Sequence, residues 1–352
     1  MRTHVLFTCL LFLSLATIGQ DLTSMIQGRI DSLVAEKKIP GVIVAISDHG
    51  KHTVYTAGMA DVDRNMPFTT STQCEIGSIS KTVNAYVVLR VLASKGLSVD
   101  SSIGPWLPDS VRTNEAVAKI PFRKLLNHTS GLPRLAPNMK LNDSTLQPYK
   151  DYGASDMYSF LRVARPDSNA KYSYSNLAAG LAGELASRMS GRSYADLVAK
   201  YVTKPFKMRS TGLGIHDELP VAIGWIDDKK KAEYWDLNVQ RGAGGIRSTA
   251  DDMLRYGEKM IERKDKEPEQ IITNETVAVN ERVSVALGWH LAKAAGRSPF
   301  VWHNGGTYGF STFLGYDREK RTVVFIAINR FNVNSQSDKL GIETLRKMAG
   351  VQ

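Results

Sequence analysis

Strand-like runs at both ends of the chain and helix-period segments through its middle predict an α+β fold, an α/β sandwich. One antiparallel sheet, built from the two chain ends, is flanked by helices and carries an inserted, mostly helical subdomain. No internal repeat, low-complexity tract or long Pro/Ser linker divides the sequence, so residues 20–352 are expected to form one domain. Its sheet part is expected at about 20–77 and 280–352, and its helical part at about 78–279.

Residues 22–38 have the apolar spacing of an amphipathic helix. After it, GVIVAISDHG and HTVYTAGMAD alternate or run apolar around His49-Gly50-Lys51, a hairpin signal. Near the C-terminus, VSVALGWHLA, PFVWHNG, FSTFLGYD and RTVVFIAIN are four strand candidates, with Asp317-Arg318-Glu319-Lys320 as the turn between the last two. A helix from about Ser337 to Met348 follows. In the middle, SDMYSFLRVA, LAAGLAGELASRMSG and YADLVAKYV carry helical periodicity. Strand-rich ends around a helix-rich middle place a cleft between the two parts.

The 45 basic and 35 acidic residues give a formal charge of +10, yet the densest cluster, Lys229-Lys230-Lys231, is bracketed by Asp227, Asp228 and Glu233. No basic groove with interleaved aromatics appears, so no nucleic-acid partner is expected. The first 19 residues read as a secretory signal: Arg2 leads an apolar stretch from Val5 to about Ile18, with the small Thr17 and Gly19 before a polar turn. That stretch is shorter than the roughly 20 residues that span a bilayer. The mature protein is therefore expected to be soluble, monomeric and without a stable membrane anchor, in the periplasm or outside the cell. After signal removal only Cys74 remains, so no internal disulfide and no cysteine-based metal site are expected.

The segment from Ser78 to about Ser94 is apolar on almost every face, with Gly96 placed to end it, which reads as a buried helix. Ser78 and Lys81 lie three residues apart and share its first turn. Burial and the positive end of the helix dipole both push such a lysine toward the neutral amine, which can take a proton from the serine, while free backbone N–H groups stabilise an oxyanion. The plainer reading is a helix-capping serine and a solvated lysine. Ser-x-x-Lys alone is weak, occurring also at Ser168/Lys171 in a polar, loop-like stretch. Two further patterns are each unique in the chain: Tyr174-x-Asn176 at a loop-to-helix junction, and His303-x-Gly305 at a strand end. A tyrosine there can shuttle a proton, and glycines at a strand end admit a ligand or another backbone.

In order and context these three motifs resemble the penicillin-recognising serine enzymes, whose pattern is Ser-x-x-Lys, then a hydroxyl-and-Asn motif, then Lys-Thr-Gly on a strand. Within that superfamily the chain is similar to the branch holding class C β-lactamases, D-Ala-D-Ala carboxypeptidases with His-Thr-Gly, and β-lactamase-like carboxylesterases. Further signatures are LLNHTSGLP at 125–133, KPFKM at 204–208, AGGIRSTADDM at 243–253, LGWH at 287–290 and HNGGTYGF at 303–310. The resemblance implies a β-lactamase/transpeptidase-like fold over nearly the whole mature chain.

It also implies roles. Ser78 is the acylated nucleophile, Lys81 and Tyr174 share the proton work, and the backbone N–H groups of Ser78 and Gly306 form the oxyanion hole. Asn176 holds the substrate amide, and His303 and Gly305 line the substrate strand. His303 stands where class C β-lactamases have lysine, which replaces a fixed charge with a hydrogen bond. Substrate-carboxylate binding then falls to Arg330 or Asn332; Arg247 either faces the cleft or pairs with Asp251 or Asp252. His128 belongs to a segment that is structural in this family. No metal-ligand spacing or phosphate-cradling loop is present, and no cofactor is implied. The expected activity is a serine hydrolase on a D-Ala-D-Ala-type peptide or a β-lactam. The alternatives are a carboxylesterase on the same scaffold and a non-catalytic peptidoglycan-binding member.

Overall fold

The computed structural model describes residues 21–140, 145–169, 171–263 and 268–351. The N-terminal signal expected over residues 1–19 lies outside the described residues.

The helix α1 covers residues 21–35 and is followed by the hairpin β1 (Gly41–Asp48) and β2 (Lys51–Gly58). His49 and Gly50 turn it with positive φ. The short strands β3 (Cys74–Glu75) and β4 (Arg247–Ser248) pair with each other and bracket most of the helical region, with α2 (Ser80–Ser94) and α3 (Asn176–Ser190) between them and α4 (Ala250–Glu262) directly after β4. The chain then returns to the sheet through β5 (Val277–Ala278), β6 (Val283–Val285), β7 (His290–Ala294), β8 (Arg297–Gly306), β9 (Ser311–Asp317) and β10 (Thr322–Ile328) before α5 (Asn334–Ala349). Among the described residues these strands form an eight-stranded sheet of order β2-β1-β10-β9-β8-β7-β6-β5. Its pairs are antiparallel, and the last strand in sequence lies beside the first.

The continuous apolar runs of β1 and β10 are explained by burial on both faces. Val42, Val44, Ile46, Val324, Ile326 and Ile328 pack with Ile26, Ile30, Leu340 and Leu345 of α1 and α5. The alternate residues Ile43, Ala45, Val323, Phe325 and Ala327 join the larger core beneath the helical region. Each such side chain contributes about 1.5–3 kcal/mol on burial, so the sheet is a rigid platform. On its inner face Gly257 of α4 sits so near Val323 that a Cβ there would lie 2.4 Å from a Val323 methyl.

VSVALGWHLA does not form one strand. It breaks into β6 and β7 at Gly288, whose φ is +75° and whose Cβ position would lie 2.6 Å from the Lys81 carbonyl oxygen. The break lets the sheet's backbone press against the start of α2, a tertiary requirement that period-two reading misses. The α2 helix is buried over most of its length, and Leu97 N–H closes its end on the Leu92 carbonyl beyond Gly96, at φ +66°.

Candidate active site

Ser78 lies on a tight 3-10 turn, Gly77–Ile79, that leads into α2. Gly77 has φ +51°, and a Cβ on it would come within 2.7 Å of the Gly306 nitrogen. A Cβ on Gly305 would fall 2.0 Å from the Ile76 carbonyl oxygen. Two glycines therefore let the end of β8 meet the turn that carries Ser78, backbone to backbone. The Thr312 hydroxyl adds a tie by donating to the Ile76 carbonyl at 3.0 Å. Ser80 is structural: its Oγ accepts the Ile246 N–H at 3.1 Å.

Lys81 is 2% exposed, and its Nζ donates to Ser78 Oγ at 3.0 Å and to the Ala243 carbonyl at 2.6 Å. Burial, reinforced by the charge of Arg134, drives its pKa well below the lysine range. With no carboxylate partner among the described residues, the ammonium is disfavoured and the neutral amine is favoured facing the serine. The Tyr174 ring lies 4.9 Å from Lys81 Nζ. Burial pushes the Tyr174 phenol well up, and hydrogen bonding with the Ser78 hydroxyl and the charge of Arg134 pull it back only in part. Burial thus pushes the pair in opposite directions, the lysine toward the free amine and the tyrosine toward the protonated phenol, around one hydroxyl. Ser168 and Lys171 are exposed, and the second Ser-x-x-Lys shows no such cluster.

His128 is 4% exposed and supports Tyr174 from below, with ring centroids 4.4 Å apart. Its Nδ1 accepts the Ser175 N–H at 3.1 Å, which fixes the turn into α3. Asn176 opens that helix; its Nδ2 donates to the Tyr149 hydroxyl at 3.4 Å, and its Oδ1 is buried without a protein partner. Ser78, Asn176 and Gly306 line a cavity of about 250 Å³ together with Tyr149, Trp235 and Arg134. Larger hollows of about 530 and 590 Å³ lie elsewhere but contain no serine–lysine pair.

Two expected substrate contacts are placed differently. His303 is 1% exposed and stands behind Tyr174, with ring centroids 6.4 Å apart. Its Nδ1 donates to the Asn304 carbonyl at 2.5 Å, and burial with the nearby His290 and Lys81 holds its pKa well below the imidazole range. It is neutral, with Nε2 an acceptor, and it offers the cavity no charge. Arg330 is turned away: its guanidinium pairs with Asp228, while the following Phe331 and Asn332 line the cavity. Arg247 stacks over Tyr234 at 5.2 Å and donates to the Trp235 carbonyl, and Asp252 instead accepts from Ser210 N–H and the Thr211 hydroxyl.

Three nearby residues escaped sequence reasoning. Arg134 follows the GLP signature, and His290 ends LGWH, where burial pushes its imidazole down to about 4. The third is Glu75, 3% exposed on β3 just before the turn that carries Ser78. It accepts the Trp235 N–H at 2.5 Å and the Thr307 hydroxyl at 2.7 Å, clamping two cavity walls together. Burial raises its pKa to about 7. A native carboxyl at about 7 against an ordinary 4.5 binds more protons than the unfolded chain between those values, so its contribution is fully present below about 4.5 and is lost as pH rises through 7. Glu75→Gln keeps an acceptor without the charge. Thermal melts should show it more stable than wild type at pH 8, by about 2–3 kcal/mol, with the gap closing toward pH 5. Equal gaps at both pH values would contradict this account.

A profile of the Beta-lactamase family matches residues 26–345, most of the chain. The chain belongs to the Beta-lactamase family. It is similar to a β-lactamase of Yersinia enterocolitica, 22% identical over 93% of each chain. It is also similar to the D-alanyl-D-alanine-carboxypeptidase/endopeptidase AmpH of Escherichia coli K12, 20% identical over 82% of this chain and 79% of that one. The match to a Providencia stuartii β-lactamase is 27% identical and spans 62% of that relative's length. The fold matches a class C β-lactamase from Rhodobacter sphaeroides with a TM-score of 0.78, at 22% identity over 93% of this chain and 100% of that one. The β-lactamase family is one of serine hydrolases, and this member has Ser78, Lys81 and Tyr174 in mutual contact. Among the described residues no cluster of metal-ligating side chains occurs, and no helix is long and apolar enough to cross a membrane.

Proposed function

We propose that the chain is a periplasmic or secreted acyl-serine hydrolase acting on a D-Ala-D-Ala-type peptide or a β-lactam amide. The observation that carries this reading is the buried Lys81 bonded to Ser78 Oγ beside the Gly306 amide, where burial favours the neutral amine. Lys81 takes the serine proton as Oγ attacks the carbonyl carbon. The oxyanion is received by the N–H groups of Ser78 and Gly306, which removal studies elsewhere value at about 3–4 kcal/mol per donor. Collapse breaks the carbon–nitrogen bond, and the nitrogen leaves with a proton relayed through Lys81 and Tyr174. Water, deprotonated by the same pair, then releases the acyl group and restores the serine. Asn176 Oδ1, buried and unpartnered, is suited to accept the substrate's amide N–H. The basic-then-apolar pattern of residues 1–19 supports export.

A carboxylesterase is the second reading, favoured by the buried neutral His303 where a cationic residue would otherwise select carboxylates. Labelling with fluorescent penicillin, wild type against Ser78→Ala, tests the covalent step, and nitrocefin, a D-Ala-D-Ala peptide and p-nitrophenyl esters assign the leaving group. Label on wild type alone is the expected result. A wild-type protein that neither takes the label nor cleaves any of the three substrates overturns the proposal.

A further inference from the structure

The cavity over Ser78 contains a cation with no counter-charge. Arg134 is exposed, lines the cavity and makes no ion pair among the described residues. Arg330, by contrast, is paired with Asp228, Arg123 with Asp100, and Arg297 with Asp317. The Arg134 main chain is fixed, since its carbonyl accepts the N–H groups of Asn176 and Leu177 at 3.0 and 3.2 Å. Its guanidinium carbon stands 5.1 Å from the centroid of the Tyr174 ring. An arginine anchored at its backbone and stacked on an aromatic face keeps its fork of donors free for a planar anion.

Its position relative to the chemistry gives that anion an identity. A nitrogen leaving the tetrahedral intermediate must draw its proton from Lys81 or Tyr174, the groups in contact with the Ser78 hydroxyl. In an amino-acid leaving group the carboxylate carbon is two bonds from that nitrogen, about 2.5 Å away by bond lengths of roughly 1.46 and 1.52 Å. The carboxylate therefore emerges within a few ångströms of Tyr174, against whose ring the Arg134 guanidinium stands. His303, behind the same tyrosine, presents no proton and no charge there.

Building on the acyl-serine reading, we propose that Arg134 is the carboxylate-binding residue of this site, pairing with the terminal carboxylate of a D-amino-acid leaving group. Arg134 then selects peptides with a free C-terminus over their amides and esters, a task expected from sequence of Arg330 or Asn332.

The test uses the full mature chain carrying Ser78→Ala, so that ligand is bound and not consumed. Calorimetry compares Nα-acetyl-L-lysyl-D-alanyl-D-alanine with its C-terminal amide. The acid should bind about tenfold tighter or more, as a charge-assisted pair in a cleft requires, and the preference should shrink as salt rises. Adding Arg134→Ala should collapse the ratio to within about twofold, and Arg134→Lys should recover part of it without the planar fork. An acid preference that survives Arg134→Ala overturns the proposal, as does equal binding of acid and amide, or binding of neither. Loss of both ligands in equal proportion assigns Arg134 to propping Tyr174 and also overturns it. Should Arg134→Ala fail to fold, the salt series and the lysine variant still decide. Fluorescent-penicillin labelling of the Ser78-intact protein separates the two levels: label without acid preference leaves the acyl-serine chemistry standing and removes Arg134 from it.

Discussion

Lys81→Met should lower the second-order rate of acylation by about 10³-fold, within the range that positioned proton transfer supplies. Methionine fills nearly the same volume, so the change removes a lone pair with little disturbance of packing. Lys81→Arg should fail as badly, because a guanidinium keeps its charge and cannot accept the serine proton. The wild-type acylation rate should rise with pH as Lys81 loses its proton and reach its plateau far below the ordinary lysine range, since burial has depressed that pKa. Tyr174, pushed the other way, stays a phenol throughout and gives no such limb. Stopped-flow acylation by nitrocefin across pH, for wild type and both variants, reads all of this. Near-normal acylation by Lys81→Met would transfer the base to Tyr174. Stability should move differently. With a folded pKa below the unfolded one, Lys81 makes the native state bind fewer protons, so stability rises with pH between the two values and is lost as pH falls through the folded one. Lys81→Met removes that dependence and its penalty at lower pH, which offsets the roughly 1 kcal/mol for the donor that the Ala243 carbonyl loses.

Gly305→Ala should be the most damaging single-methyl change in the site. Its Cβ would lie 2.0 Å from the Ile76 carbonyl oxygen and 2.4 Å from Thr312 Oγ1, and the first of these is backbone that cannot rotate aside. The end of β8 must withdraw from the nucleophile turn, carrying the Gly306 amide with it. Acylation should fall by about 10²–10³-fold as an oxyanion donor is lost, and stability by about 2–3 kcal/mol. Gly306→Ala is the control. Its nearest neighbour is the tip of the Asn334 side chain at 3.0 Å, which can swing away, so its melting temperature should stay close to wild type. Labelling rates and thermal melts of the two variants make the comparison, and equal effects would show that the close approach is not what sets the oxyanion hole.

Local patterns were legible wherever the deciding interaction was local. The β1–β2 hairpin shows in His49-Gly50, the α2 helix in its unbroken apolar run, and its end in Gly96. The contact between Lys81 Nζ and Ser78 Oγ was legible because the two residues share one turn. What escaped was fixed by partners distant in sequence. Gly288 splits an apparent strand because Lys81 lies against it, and His303 loses its charge because His290 and Lys81 close around it. Arg330 was expected in the cavity from its place after a strand, but Asp228, 102 residues earlier, draws it away. Arg134 gave no signal beyond its adjacency to GLP, since a cation's worth depends on which carboxylates are missing around it.

The clamp that joins Glu75 to Thr307 links residues 232 positions apart, and Ile76 is held by Thr312 across 236. Ser78 therefore belongs to the early part of the chain, whereas the Gly306 amide, proposed above to complete its oxyanion hole, belongs to a strand made near the end. A partly synthesised or partly folded chain holds the serine and its lysine without the means to stabilise an acyl-transfer transition state. Such non-local pairings form late because loop closure must come first. On the proposed acyl-serine chemistry, Ser78 stays silent until the final strands dock, and reactivity is a property of the finished sheet.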